Sequence, residues 1–419
     1  MVELAYENQL HKLIEDVWQE GKNQPIIKEF YKKRGLLEDN SLMPSEKLRN
    51  LELYSVADEL LAQSKDISFE TSYAVPRRVV VGKIDPEKYL EAIIIKQKRD
   101  NKTDYFELQG SLPAGVSPET FAKLQEKHGV RIGFLENLSS NSLGGKDNSY
   151  RQKIVGEPGN PDKQPLELGK DGLVGVDFAG PEANFTPQGM ENFKEIYRLL
   201  GQKAKDRDTA VVIRPHVGEG DPRKAYEEKR PQATDNIELM ITALEELKLE
   251  DGKRPEEERI SDNVVVRFGH ATHATGSQLE RIKQLGVIVE ANLTSNLETG
   301  AVRNKTQMQR TILKFLYHDV RTIINTDGGG MMRTDLPYEY KRAKEAIQDF
   351  KDGKISILVE DYQGASTDND GNRTVGQIEE KGEISYQDLS PKEQKRFNIN
   401  RLYNQSREYK NKIVPKLPI

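Results

Sequence analysis

The sequence predicts an α/β fold: a (β/α)8 barrel, abridged or irregular, preceded by a mostly helical N-terminal extension. Three observations predict it. Short β-branched runs recur along the chain, amphipathic helical patterns lie between most of them, and the chemically versatile polar residues come just after the runs. Such alternation implies parallel strands with crossover helices, in either a doubly wound sheet or a closed barrel. The placement of the polar residues favours the barrel, whose sites are built at the C-terminal ends of its strands.

Residues 1 to about 70 are charged, and Leu10, Leu13, Ile14 and Trp18 follow the spacing of one helix face. Arg78 to Ile84 reads as a strand, while Ala92 to Gln97 fits a strand or the buried end of a helix starting near Pro86. Residues 1–100 are therefore expected to form the extension, with one or two strands available to complete the barrel, and residues 101–412 the barrel itself. Its candidate strands are Tyr105 to Leu112, Leu173 to Phe178, Thr209 to Arg214, Val264 to Phe268, Val287 to Ala291 and Arg321 to Asn325. Helical patterns cover Thr186 to Lys203, Ala233 to Leu247, Ser277 to Leu285 and Lys305 to Tyr317. Ser139 to Pro165 and Asp361 to Glu383, rich in Gly, Asn and polar residues, read as loops. The interval from Gln109 to Asp177 is short for the units a full barrel needs there, at roughly 30 residues each.

With 35% hydrophobic and 31% charged residues, the chain has enough apolar side chains for a packed interior. Lys and Arg total 63 against 68 Asp and Glu, so the net charge of -5 gives no reason to expect nucleic acid or an anionic membrane as partner. No run approaches the roughly 20 apolar residues of a membrane span, and the N-terminus lacks the apolar centre of a secretory signal. A cytoplasmic location is expected, although a chain without cysteine also suits delivery through an unfolded or oxidising route. The lack of cysteine removes disulfides, thiolate ligands and cysteine nucleophiles, so any metal must be held by His, Asp or Glu.

The richest segment is Arg214-Pro215-His216-Val217-Gly218-Glu219, a histidine ending a buried run with a glutamate three residues on. That pairing suits a metal ligand beside a proton carrier, and equally a capping turn that happens to contain a histidine. The next run ends in Gly269-His270-Ala271-Thr272-His273, which puts two of the six histidines in one loop. One such histidine is usually structural; two beside His216 point to a site, because neighbouring strand ends converge in a barrel. Asn325-Thr326-Asp327-Gly328 places a carboxylate at the end of the last run, where Asp before Gly also reads as a plain turn.

In order, HVGE, GHATH, ANLTSNLETG and NTDGG resemble the adenosine deaminase branch of the metal-dependent amidohydrolases. Upstream, Val176-Asp177-Phe178-Ala179-Gly180-Pro181-Glu182 is similar to that family's Asp-Leu-Ala-Gly-x-Glu, and Phe397-Asn398-Ile399-Asn400 to its C-terminal region, so the likeness spans residues 105 to 405. The resemblance implies a TIM-type barrel, a zinc ion and hydrolytic loss of an exocyclic amine from a purine nucleoside or nucleotide. It implies His216 and Asp327 as metal ligands, Glu219 as the proton-transferring acid and His270 as the orienting residue. It also implies Gly180, His273 and Gly328 at the substrate.

The sequence departs from the family at the first metal motif. Where the family has His-x-His, this chain has Gln109-Gly110-Ser111, so Gln109 and Ser111 stand at two ligand positions. Neither an amide oxygen nor a neutral hydroxyl is a usual zinc donor. Gly328 replaces a second aspartate of the family pattern. Two functions follow as expectations: a deaminase-type hydrolase with an altered or lost zinc site, or a catalytically silent relative that binds a nucleoside, a nucleotide or a protein partner.

Overall fold

Most strands of the sheet are runs in which β-branched and aromatic residues alternate with residues of a second face, the pattern that packs on both sides of a parallel sheet. In the computed structural model, which describes residues 10–23, 25–51, 84–145, 149–157, 159–160, 164–182, 184–328, 334–364 and 376–418, seven such strands form one sheet. They are β1 (Tyr105–Gln109), β2 (Arg131–Ser139), β3 (Leu173–Ala179), β4 (Val211–Val217), β5 (Val264–His270), β6 (Ile288–Ala291) and β7 (Thr322–Ile324). Every neighbouring pair is parallel, and the spatial order is the sequence order. A doubly wound sheet reverses its strand order at a switch point. This one never reverses, which is the order of a barrel.

Side chains confirm that the sheet curls. Glu107 on β1 pairs with Arg267 on β5, four strands away. The Leu336 N–H, beyond β7, donates to Asn101 Oδ1, ahead of β1, at 2.7 Å. The fold is an abridged barrel of the TIM type, with seven strands among the described residues. Where an eighth strand would pair, the C-terminal helix Ile399–Lys412 bridges the gap. Gln405 Oε1 accepts from Thr322 N–H on β7 at 3.3 Å, and Lys410 pairs with Asp104, just before β1, at 2.7 Å.

The main apolar core lies between the strands and the outer helices, from Phe178 and Val211 to Phe268 and Val289. Four helices pack there: Pro187–Asp206, Tyr226–Gly252, Gly276–Leu285 and Lys305–Tyr317. Thr186 caps the first and Asn304 the last, each accepting a backbone N–H through its side-chain oxygen. Beyond β7 come the helix Leu336–Lys351 and an antiparallel pair, Ile357–Gln363 with Gln377–Ile384. That pair corrects the reading of Asp361 to Glu383 as loop at both of its ends. The loop expected over Ser139 to Pro165 likewise holds a helix at Ser149–Val155.

The chain divides into two compact units, one of residues 1–99 with 113–128 and one of residues 100–112 with 129–419. In the first, helices Leu10–Gly21 and Pro25–Lys33 pack through Leu13, Ile14, Trp18 and Tyr31. The Trp18 and Tyr31 rings lie 5.0 Å apart, and Tyr31 Oη donates to the Ile14 carbonyl at 2.7 Å. Ala92 to Gln97 falls within the helix Pro86–Asp100, which resolves the strand-or-helix alternative. The expected strand at residues 78–84 lies outside the described residues except for Ile84, which is not in a strand. Among the described residues, no helix is long and apolar enough to cross a membrane.

Candidate metal and catalytic site

Strand ends deliver the polar residues. Every residue of β4 is buried, and its penultimate position is His216; β5 ends on His270; the turn after β7 carries Asp327. One ligand atom from each of the three lies within 4.8 Å of the other two. The imidazole rings are 5.0 Å apart and inclined at 65°. Turning side chains into one mouth requires unusual backbone: φ is 78° at His270, 47° at Ala271 and 53° at Asp327. For residues bearing a Cβ this left-handed region costs about 1 kcal/mol or more each. The cost is met by hydrogen bonds from Ala271 N–H to the Val217 carbonyl, 2.8 Å, and from Asp327 N–H to Asn325 Oδ1, 3.2 Å.

Neighbours orient each group. Asn296 Oδ1 lies 2.8 Å from His270 Nδ1, leaving Nε2 to face Glu219 Oε2 at 3.2 Å and Asp327 Oδ2 at 3.8 Å. Ser295 Oγ donates to Asp327 Oδ2 at 2.7 Å. Burial draws the His270 pKa down, but Glu219, Asp327 and Asn296 more than offset it, and the net shift is upward. Burial dominates at His216 and lowers its pKa. Asp327 is held below the ordinary carboxylate range, because His270, His216 and Arg214 outweigh its burial. His216 is thereby pushed toward the neutral form and Asp327 toward the ionised one, the states that bind a cation, whereas the carboxylate neighbours of His270 push it toward the protonated form.

The Nε2 atoms of His216 and His270 are buried without a hydrogen-bond partner. Two imidazole nitrogens and a carboxylate are also a donor set found in three-ligand catalytic zinc sites. The residues present therefore fit a divalent metal. Gln109 and Ser111, at the end of β1 and just beyond it, are both exposed, whereas His216 and His270 are buried.

Glu182 sets the Glu219 loop. Its carboxylate accepts the backbone N–H of Gly218 at 2.9 Å, of Glu219 at 2.8 Å and of Gly220, and also Asn236 Nδ2 at 2.9 Å. Burial pushes the Glu182 carboxyl up to about 7 despite these donors. Below the trio lies Arg214, which donates through Nη1 to Asp177 Oδ2 at 2.9 Å and through Nε to Glu290 Oε2 at 2.8 Å. Its Nη2 is 4.0 Å from Asp327 Oδ1, and Asp177 Oδ1 is 3.5 Å from His216 Nε2. Glu290 also pairs with Arg267 at 3.0 Å, and Arg267 reaches Glu107 and, at 2.8 Å, Tyr409 Oη. Ion pairs thus fill a barrel interior that apolar layers usually occupy. Sequence reasoning missed this lattice; the available signal was a charged residue inside an apolar run, as at Asp177, Arg214, Arg267 and Glu290.

The remaining positions expected at the substrate are Gly180, Gly328 and His273. Gly180 is exposed with φ at 121°, and a Cβ there would come within 3.3 Å of Ser140 Oγ. Gly328 is half-buried in the turn behind Asp327. His273 is buried against the Tyr226 ring, 5.8 Å away, and its backbone ties its loop to the Gly218 turn, N–H to the Gly218 carbonyl at 3.1 Å, and to the helix Tyr226–Gly252, whose Thr234 Oγ1 donates to its C=O at 2.9 Å. Burial and the nearby Arg230, Lys314 and Lys229 press its pKa well below the ordinary value.

The family model for adenosine deaminase matches residues 252–376, which include His270 and Asp327. The adenosine deaminase of Serratia proteamaculans (strain 568) is 26% identical over 173 residues, 41% of this chain and 40% of that one. The adenosine deaminase of Lacticaseibacillus casei (strain BL23) is 35% identical over 85 residues, 20% of this chain and 24% of that one. Over these segments the chain is similar to adenosine deaminases. It matches less than half the length of these curated relatives, and the matched family segment stops short of His216 and Glu219. Among solved structures, Arabidopsis ADAL complexed with IMP has a TM-score of 0.40 at 15% identity, covering 76% of this chain and 80% of that one. The apo N6-methyl-AMP deaminase from Arabidopsis thaliana gives 0.37 at 14% identity, covering 80% and 81%. Gln109 and Ser111 are exposed at the β1 terminus, while buried His216 and His270 and half-buried Asp327, from later strands, converge.

Proposed function

We propose that the chain is a hydrolytic deaminase acting on the exocyclic amine of a purine nucleoside, nucleotide or related compound, through a metal site reduced to His216, His270 and Asp327. The observation that carries this reading is the convergence of those three ligand atoms within 4.8 Å, with Glu219 3.2 Å from His270 Nε2. When bound there, zinc or another divalent cation acts as a Lewis acid and makes water a stronger nucleophile at neutral pH. In the reaction water adds across the ring C=N at the amine-bearing carbon, and the carbon–amine bond then breaks, releasing ammonia as the carbonyl forms.

Glu219 serves as proton carrier, taking a proton from the attacking water and giving it to the ring or to the departing amine. Its loop is fixed by Glu182, so the carboxylate is presented without reorganisation. Asn296 holds His270 and Ser295 holds Asp327 so that their free atoms would face the metal. Gly180 and Gly328 offer backbone to the base, and His273 braces the loops beside it.

A second reading is binding without turnover, and the exposed Gln109 and Ser111 favour it, because zinc affinity falls as a site loses donors. Elemental analysis of the purified protein, followed by ammonia release from adenosine, AMP and related amines, separates the two. Bound metal with turnover supports the deaminase. Metal-free protein with no ammonia release, but with a thermal shift on ligand addition, supports the silent binder.

A further inference from the structure

Arg214 is a guanidinium 8% exposed, inside the strand ring, where two carboxylates grip it and a third lies beside it. Its Nε and Nη1 are used by Glu290 and Asp177, while Nη2 is buried without a hydrogen-bond partner, 4.0 Å from Asp327 Oδ1. Asp327 is the one carboxylate of the His216–His270–Asp327 group. A permanent positive charge therefore sits beside the anion that would hold a divalent ion. Asp177, 3.5 Å from His216 Nε2, could otherwise add negative charge to the site but is spent on Arg214. An arginine cannot relieve the conflict by losing its proton.

We propose that Arg214 is a built-in cation that keeps the divalent-ion affinity of this trio low, making the metal exchangeable rather than resident. The proposal rests on the reading that the trio holds a metal. Like charges a few ångströms apart in a dry interior repel strongly, and removing one of them frees Asp177 and Glu290 to favour the cation.

The test is zinc affinity of the full chain, measured by competition with a chromophoric chelator at fixed pH. Wild type is compared with Arg214→Gln, Arg214→Lys and His216→Ala. Arg214→Gln is expected to tighten zinc binding at least about tenfold, and Arg214→Lys, which keeps the charge, to stay within about threefold of wild type. His216→Ala is expected to lose specific uptake. If His216→Ala abolishes uptake but Arg214→Gln leaves the affinity unchanged or weaker, the proposal falls and the metal reading stands. If wild type, Arg214→Gln and His216→Ala all take up zinc only at background, the metal reading itself falls. Should Arg214→Gln not fold, Arg214→Met, which also removes the charge, decides: tighter zinc binding supports the proposal, and unchanged or weaker binding in the folded variant overturns it.

Discussion

Replacing Glu182 by Gln tests how the Glu219 loop is held. In the native chain, three consecutive backbone N–H groups and Asn236 Nδ2 converge on one buried carboxylate. A glutamine at this position keeps a single oxygen able to accept two of those donors, and its own amide N–H groups point at the others. About two buried donors are left unsatisfied at about 1–3 kcal/mol each, so Glu182→Gln is expected to cost about 2–6 kcal/mol. The measurement is urea unfolding followed by far-UV circular dichroism at pH 8, where the wild-type carboxyl, with its pKa near about 7, is mostly ionised. Amide hydrogen exchange at Gly218, Glu219 and Gly220 is expected to accelerate in the variant, locating the loss. A stability change below about 0.5 kcal/mol with unaltered exchange at those amides would refute the reasoning, because it would show that other contacts fix the loop.

Glu219→Gln preserves volume and removes the proton carrier, so ammonia release is expected to vanish while the thermal midpoint stays near wild type; unchanged turnover removes Glu219 from the mechanism. The double change Gln109→His with Ser111→His is expected to raise zinc content by elemental analysis, and a content still at background means that the β1 terminus does not face the trio. Lys314, 7% exposed, has its pKa brought down to about 7 by burial and by Arg230. A lowered lysine pKa contributes stability above the unfolded value near 10.5, and that contribution is lost as pH falls toward 7. Lys314→Met is therefore expected to gain on wild type between pH 10 and pH 7, by on the order of 4 kcal/mol at most, and parallel stability curves for the two proteins would contradict it.

Much of the ring was legible because β-branched runs and polar strand ends coincide, as at Val211 to Val217, so six of the seven strands are read within a few residues. β2 escaped because Gly133 interrupts its apolar run and reads as a breaker. In the structure a Cβ at Gly133 would lie 2.8 Å from Val174 Cγ2, so glycine is there to admit a neighbouring side chain, not to end the strand. His216, His270 and Asp327 were legible as a set, since each ends a run and the order of the segments resembles a known family. Glu182 and Arg214 were not. The first acts on backbone groups of a loop 36 to 38 residues away, and the second on carboxylates 37 and 76 residues away, pairings that no local spacing encodes.

Tyr409 reaches into the ring from the C-terminal helix, its hydroxyl receiving a hydrogen bond from Arg267 at 2.8 Å and donating to Glu107 at 3.0 Å. During synthesis, Glu107 and Arg267 leave the ribosome long before residue 409 does. Without that phenol, Arg267 and Glu107 would each lose a hydrogen-bond partner inside the ring. The helix Ile399–Lys412 thus plugs the charged end of the ring, and cutting the chain before Tyr409 is a way to open that end without touching His216, His270 or Asp327.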